Sequence, residues 1–152
     1  MTQTVFLQIS EAARDALQAW PALASVPVDL FRTRVLPVDV QRGISVRTVV
    51  SRPNAVTYSH HAWSTDLVIE CGARGLTDEE ALINVDQLLY EAYAAMQGFA
   101  DTPQARALGI TGTRDNYQLE WASDSDETAV AFVGFRIPLE HDTPQHVLDA
   151  RT

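Results

Sequence analysis

The chain has 152 residues, 46% of them apolar and 20% charged, with a formal net charge of −9. That is an ordinary composition for a folded globular chain, long enough to bury about 70% of its unfolded surface as one domain. The acidic balance argues against nucleic-acid binding as the main role, because duplex affinity comes largely from cations neutralising phosphates. No apolar run approaches the ~20 residues that a membrane span needs. The N-terminus shows no basic flank and no apolar stretch ending in a cleavage site, so no signal peptide is expected. The one cysteine, Cys71, excludes an internal disulfide framework and fits a reducing compartment.

All eleven basic residues are arginines, and Arg32, Arg34, Arg42, Arg47 and Arg52 gather in the first third. Guanidinium forks suit carboxylates and are favoured at protein interfaces. An acidic surface carrying arginines is suited to pairing with copies of itself.

In chain order, Phe6, Ile9, Ala13, Leu17 and Trp20 recur at helical spacing, with Glu11, Arg14, Asp15 and Gln18 facing away. Pro21 closes this helix, since the residue before a proline is pushed out of the helical region. Val26 to Val35 reads as a short edge strand because it carries Pro27. Pro37 to Gly43 is a connecting loop, and Ile44 to Val50 alternates as a second strand. Ser51 to Ala62 is polar and without a clear period, a long hairpin tip or a flexible arm. It is the expected functional loop.

Trp63 to Cys71 is rich in β-branched and aromatic residues and reads as the central strand, broken by Gly72 and Gly75. Thr77-Asp78-Glu79-Glu80 then fits a capping box, and its acids suit the positive end of a helix dipole. Leu82, Val85, Leu88, Leu89, Ala92 and Met96 form one apolar stripe, which Gly98 ends as a left-handed cap. Thr102 to Gly109 is a short helical turn with a proline near its start. Ile110 to Ala122 and Thr128 to Leu139 are the last two strands, joined as an antiparallel hairpin by the polar turn Ser123 to Glu127. Residues 1–140 form the predicted domain, and His141 to Thr152 a loose tail. The expected fold class is α+β: a mixed, mainly antiparallel sheet of about five strands with two helices packed on one face.

No catalytic constellation stands out. The chain lacks a nucleophile elbow, a P-loop, a dinucleotide fingerprint and a His-Glu-x-x-His motif. His60 and His61 are adjacent, so on a strand they point to opposite faces and cannot share a metal; a solvated loop pair is the expectation, and His141 and His146 read the same way. Asp124-Ser125-Asp126-Glu127 resembles the start of a calcium loop but lacks its glycine and distant glutamate, so a solvated turn is the better reading. Trp63, Tyr117, Trp121 and Phe132 read as core aromatics, and Cys71 as a small core hydrophobe. No catalytic, cofactor or metal residue is assigned. The weight falls on a binding or structural protein rather than on an enzyme.

With these residues laid out, the chain resembles the tail terminator proteins of long-tailed bacteriophages, the minor tail protein U family. The likeness runs over nearly the whole length and is strongest from Trp63 onward. It rests on a Trp-x-x-x-Leu-x-Ile-Glu strand (Trp63, Leu67, Ile69, Glu70), the acid-capped helix ending near Met96, the short helical turn, the strand with Tyr117, and an acidic turn into a strand rich in Phe and Val. Before it, the amphipathic first helix, Phe31-Arg32 and the Pro37 to Gly43 loop agree in outline. The Ser51 to Ala62 loop departs from the pattern, being longer and richer in histidine.

The resemblance implies a six-membered ring that caps the tail tube, stops its polymerisation and offers a surface to the head connector. Its implied partners are further copies of itself, the tail tube protein and a head-completion protein. DNA would pass through the lumen without specific binding, and no cofactor or membrane is involved. The implied location is the head-proximal end of the virion tail, and the host cytoplasm during assembly. Candidate interface residues are Arg32, Arg34, Arg47, Arg52, Tyr58, His60, His61, Asp124, Asp126 and Glu127, the arginines and the acids supplying two unlike faces. The alternatives are another head–tail joining protein, or a small-molecule binding domain with its pocket between helix and sheet.

Overall fold

The computed structural model of the chain describes residues 3–30, 36, 37, 39–56, 60–113, 118–125, 129–144 and 147–149, without the side chains of 54–56 and 123–125. The elements in order are α1 (Val5–Ala19), β1 (Val28–Leu30), β2 (Arg42–Val56), β3 (His60–Gly75), α2 (Asp78–Met96), α3 (Pro103–Ala107), β4 (Ile110–Thr113), β5 (Gln118–Ser125) and β6 (Ala129–Pro144). The fold is α+β, a mixed six-stranded sheet with three helices. The sheet runs β1-β2-β3-β6, and the far edge of β6 is shared between two strands. β5 pairs with its first half, Ala129 to Arg136, and β4 with its second, Leu139 to His141. All pairings are antiparallel except β1 with β2.

Alternation along the strands divides the sheet into two faces. Ile44, Val46, Leu67, Ile69, Cys71, Val133, Phe135 and Ile137 face the helices and form one core with Val5, Ile9, Ala13 and Leu17 of α1 and Val85, Leu88, Ala92 and Met96 of α2. α1 packs on β1 and β2, and α2 on β3 and β6. The opposite face carries a small second cluster, Leu36, Val130 and Phe132. Arg74 secures the segment over it by donating to the carbonyls of Leu36, Pro37 and Val40. A buried guanidinium is stable there because three of its N–H groups find carbonyl acceptors.

The helix ends follow their expected chemistry. Thr77 Oγ1 accepts the Glu80 amide, while the Glu80 carboxylate accepts from the Leu76 amide, one residue before the cap. Gly98 takes φ +71 just beyond α2. Thr102 caps α3 through the Ala105 amide.

Other expectations need correction. The central strand does not break at Gly72. It continues to Gly75, and the missing Cβ at Gly72 leaves room for the Phe132 ring to lie against the backbone on the outer face. Ser51 to Val56 and His60 to Ala62 are strand arms of the β2–β3 hairpin, not an irregular loop, with Pro53 and Ala55 flanking a register shift that absorbs the local irregularity. Ile110 to Ala122 holds two strands rather than one, and Tyr117 lies outside the described residues. The α2 stripe is Ala81, Val85, Leu88, Leu89, Ala92 and Met96; Leu82 is 50% exposed. His141 to Pro144 belongs to β6, so the predicted tail begins inside the sheet. Alternation of His141 and Thr143 inward with Asp142 outward places polar side chains in the core, which composition alone reads as a solvated end.

Candidate assembly surface

A cluster of polar side chains meets at the hairpin end of the sheet. Ser51 Oγ lies 2.9 Å from Thr65 Oγ1, which lies 2.6 Å from His141 Nε2. Trp63 Nε1 donates to Thr143 Oγ1 at 3.0 Å, and the His61 ring stacks on Trp63. Phe6 of α1 meets both Trp63 and His141 edge-on and roofs the group.

Hydroxyl–hydroxyl–imidazole is the raw material of nucleophilic catalysis. Here Thr65 and His141 are buried beneath α1, out of reach of a substrate. Burial pushes the His141 pKa down to about 4, against a smaller upward pull from Asp142. Its Nδ1 has no hydrogen-bond partner among the described residues, so nothing rewards a second proton. Cys71, fully buried, has its thiol pKa raised by burial and by Glu70, which makes it a core side chain and not a nucleophile. Among the described residues no three His, Cys, Asp or Glu side chains group as metal ligands.

The charged residues of the outer sheet face are tied to one another. Arg47 lies 3.8 Å from Glu70, and Arg136 lies 3.8 Å from Asp66 and 3.9 Å from Glu120. Arg47 is therefore engaged within its own chain on the sheet's broad face. Arg52 is exposed near the hairpin end of β2, on that same face.

His60 and His61 are half-buried at the start of β3, which corrects the solvated reading; the ring of Trp63, two residues along the same strand, stacks on the second. The backbone of Asp124 pairs with Val130, close to the β5–β6 turn. Arg32, Arg34, Tyr58, Asp126 and Glu127 lie outside the described residues. The described ones among the predicted residues are thus not gathered into one site.

What periodicity missed is an apolar ridge beside β5. Leu119 and Trp121 face the helix side, by register with Phe135 and Val133. α2 stops short of covering them: it packs on β3 and β6. Trp121 is 50% exposed and Leu119 41%. Across the gap α2 presents the exposed Leu82, and Tyr93 with its ring set edge-on to Phe135. Leu82 and Trp121 line an open depression of about 340 Å³ with Asp78 at its rim. Exposed apolar side chains gathered in one place mark a contact surface. This corrects the reading of Trp121 as a core aromatic: the partial alternation of Leu119 and Trp121 was visible in the sequence, but alternation cannot say which face stays uncovered. No protein-family model matches the chain, and no curated protein matches it.

Proposed function

We propose that the protein is a structural assembly subunit, the ring-forming tail terminator of a long-tailed bacteriophage. The observation that carries the assembly part is the ridge of Leu82, Leu119, Trp121 and Tyr93, left uncovered by the chain's own helices. These side chains are 36–50% exposed, and covering the remainder of each in a partner is worth roughly 1 kcal/mol, so the four together form a usable interface core. The burial of Thr65, His141 and Cys71, the side chains best suited to chemistry, supports a structural role over an enzymatic one. The specific terminator role rests on the sequence resemblance: the strand from Trp63, the acid-capped α2, the short α3 and the β5–β6 hairpin.

In this reading further copies of the chain close the ring, the tail tube protein meets one rim and a head-completion protein the other. An acidic lumen would repel phosphates and let DNA pass. Native mass spectrometry and light scattering over a range of concentrations test it first. A species near six times 16.8 kDa is expected. Electron microscopy of tail tubes polymerised with and without the protein tests the role itself: capped tubes stop at shorter lengths, and tubes of unchanged length would remove the terminator assignment.

A further inference from the structure

Charge decides what can cover the ridge. α2 carries five acids and β5 two, and neither carries an arginine. A two-fold contact of the ridge with itself would bring these acids against their own copies, and like charges juxtaposed in a contact are strongly disfavoured. The covering surface therefore differs from the ridge.

A surface of the right shape lies on the other flank of α2. There a second open depression, of about 440 Å³, runs between α2 and the helical turn Pro21–Leu23. Ala22, Leu23 and Leu88 give it an apolar lining, and the exposed Tyr90 stands at its wall. Arg42 supplies a cation. Of the two acids beside it, Asp86 and Glu91, the second accepts a hydrogen bond from Trp20 Nε1 at 2.7 Å.

The ridge and this depression stand at the same height on the sheet. Trp121 pairs with Val133, and the row runs on through Cys71 and Ile44 to Val28. Arg42 pairs with Ala73 and Ala73 with Ala131, which lines the hollow beside Trp121 and Asp78. A neighbour turned about an axis parallel to the strands, with no shift along it, thus brings its Trp121 level with the depression. Contacts without such a shift close into a ring, whereas contacts with one wind into a filament. On the outer face the same register sets Glu120 level with Asp29 of the neighbour, acid towards acid. The sheet edges are thereby held apart, and the contact falls to the helix layer.

We propose that Trp121 of one copy seats in the depression formed by Ala22, Leu23 and Tyr90 of the next, with Asp78 beside Arg42. This rests on the ring reading above and names the two unlike faces that build the ring. An aromatic side chain filling an apolar pocket is the common centre of such contacts.

Two substitutions test it. Trp121→Ala removes the knob, Ala22→Trp fills the depression, and each leaves the other face intact. Either variant alone should need at least about ten-fold more protein than the parent to assemble. An equal mixture of the two should give a species near twice 16.8 kDa and no ring. The knob of the Ala22→Trp chain enters the depression of the Trp121→Ala chain, while the remaining pair of faces is spoiled. A mixture that stays monomeric would overturn the pairing of these faces. Rings from either variant at the parent's assembling concentration would overturn this contact and leave the ring reading standing; a parent that is monomeric at every concentration would remove both. Unchanged melting temperatures of the monomers separate these effects from misfolding. Disulfide trapping gives a second readout with little background, because the native Cys71 is buried. A chain carrying Leu82→Cys should cross-link under mild oxidation to one carrying Ala22→Cys, and neither should cross-link to itself. Cross-linking of the Leu82→Cys chain to itself, or rings without any cross-link, would overturn the contact.

Discussion

At the scale of single residues, His141 converts burial into a pH dependence. Its folded pKa is near 4 against an ordinary 6.5, because burial opposes the charged form. A base whose pKa is lowered by folding binds its proton more readily in the unfolded chain. The stability it supports is therefore complete above about pH 6.5 and is lost as pH falls towards 4. The loss is on the order of 3 kcal/mol over that window. His141→Gln keeps a polar group beside Thr65 but does not titrate. Urea unfolding at pH 7 and pH 4.5 should show a pH penalty about 2–3 kcal/mol smaller in the variant than in the parent. Equal penalties would mean that the imidazole is not the acid-sensitive group. The strand containing His141 was not legible from sequence: its neighbours Glu140 and Asp142 make the segment read as a polar end, and only the pairing of Trp63 with His141 reveals the inward row.

At the scale of elements, the junction of β3 and α2 is the tightest joint in the chain. A Cβ on Gly75 would come 2.3 Å from the Ala81 amide nitrogen and 2.8 Å from the Glu80 carbonyl carbon. These are backbone atoms of the first turn of α2 and cannot swing aside. At Gly72 the obstacle is the Phe132 ring, at 2.8 Å, a side chain that can shift at some cost. Overpacking costs about 1–3 kcal/mol, so Gly75→Ala should sit at or above the top of that range and Gly72→Ala within it. Thermal or denaturant unfolding of the two variants checks the order; a milder effect at Gly75 would mean that α2 can slide. Both glycines were visible in the sequence as punctuation after the central strand. Gly75 does end that strand, whereas Gly72 is there to admit a ring from the next strand, which a linear pattern cannot show. The same limit explains Leu82. Its spacing fits the stripe, but α2 turns Ala81 and Val85 inward, and Leu82 falls to the β5 side, where the described residues leave it half exposed.

At the scale of the molecule, two electrostatic effects oppose each other, and their ranges decide the outcome. Each subunit carries −9, so copies repel one another over distances of tens of ångströms. An ion pair across a subunit contact acts at only a few ångströms. At about 0.01 M salt the screening length is ~30 Å and the long-range repulsion is nearly intact. At about 0.15 M it is ~8 Å, which removes most of the repulsion between subunit bodies but leaves much of a contact pair. At about 1 M it is ~3 Å, and the pair is screened as well. Burial of Leu119 and Trp121 is not weakened at any of these concentrations. Assembly should therefore strengthen markedly from 0.01 to 0.15 M salt and then level off or fall slightly towards 1 M. Sedimentation velocity at fixed protein concentration across this salt series measures this. A parent whose assembly falls steadily from the lowest salt would show that ion pairs, and not the apolar ridge, hold the subunits together, and the ridge would lose its place as the core of the interface.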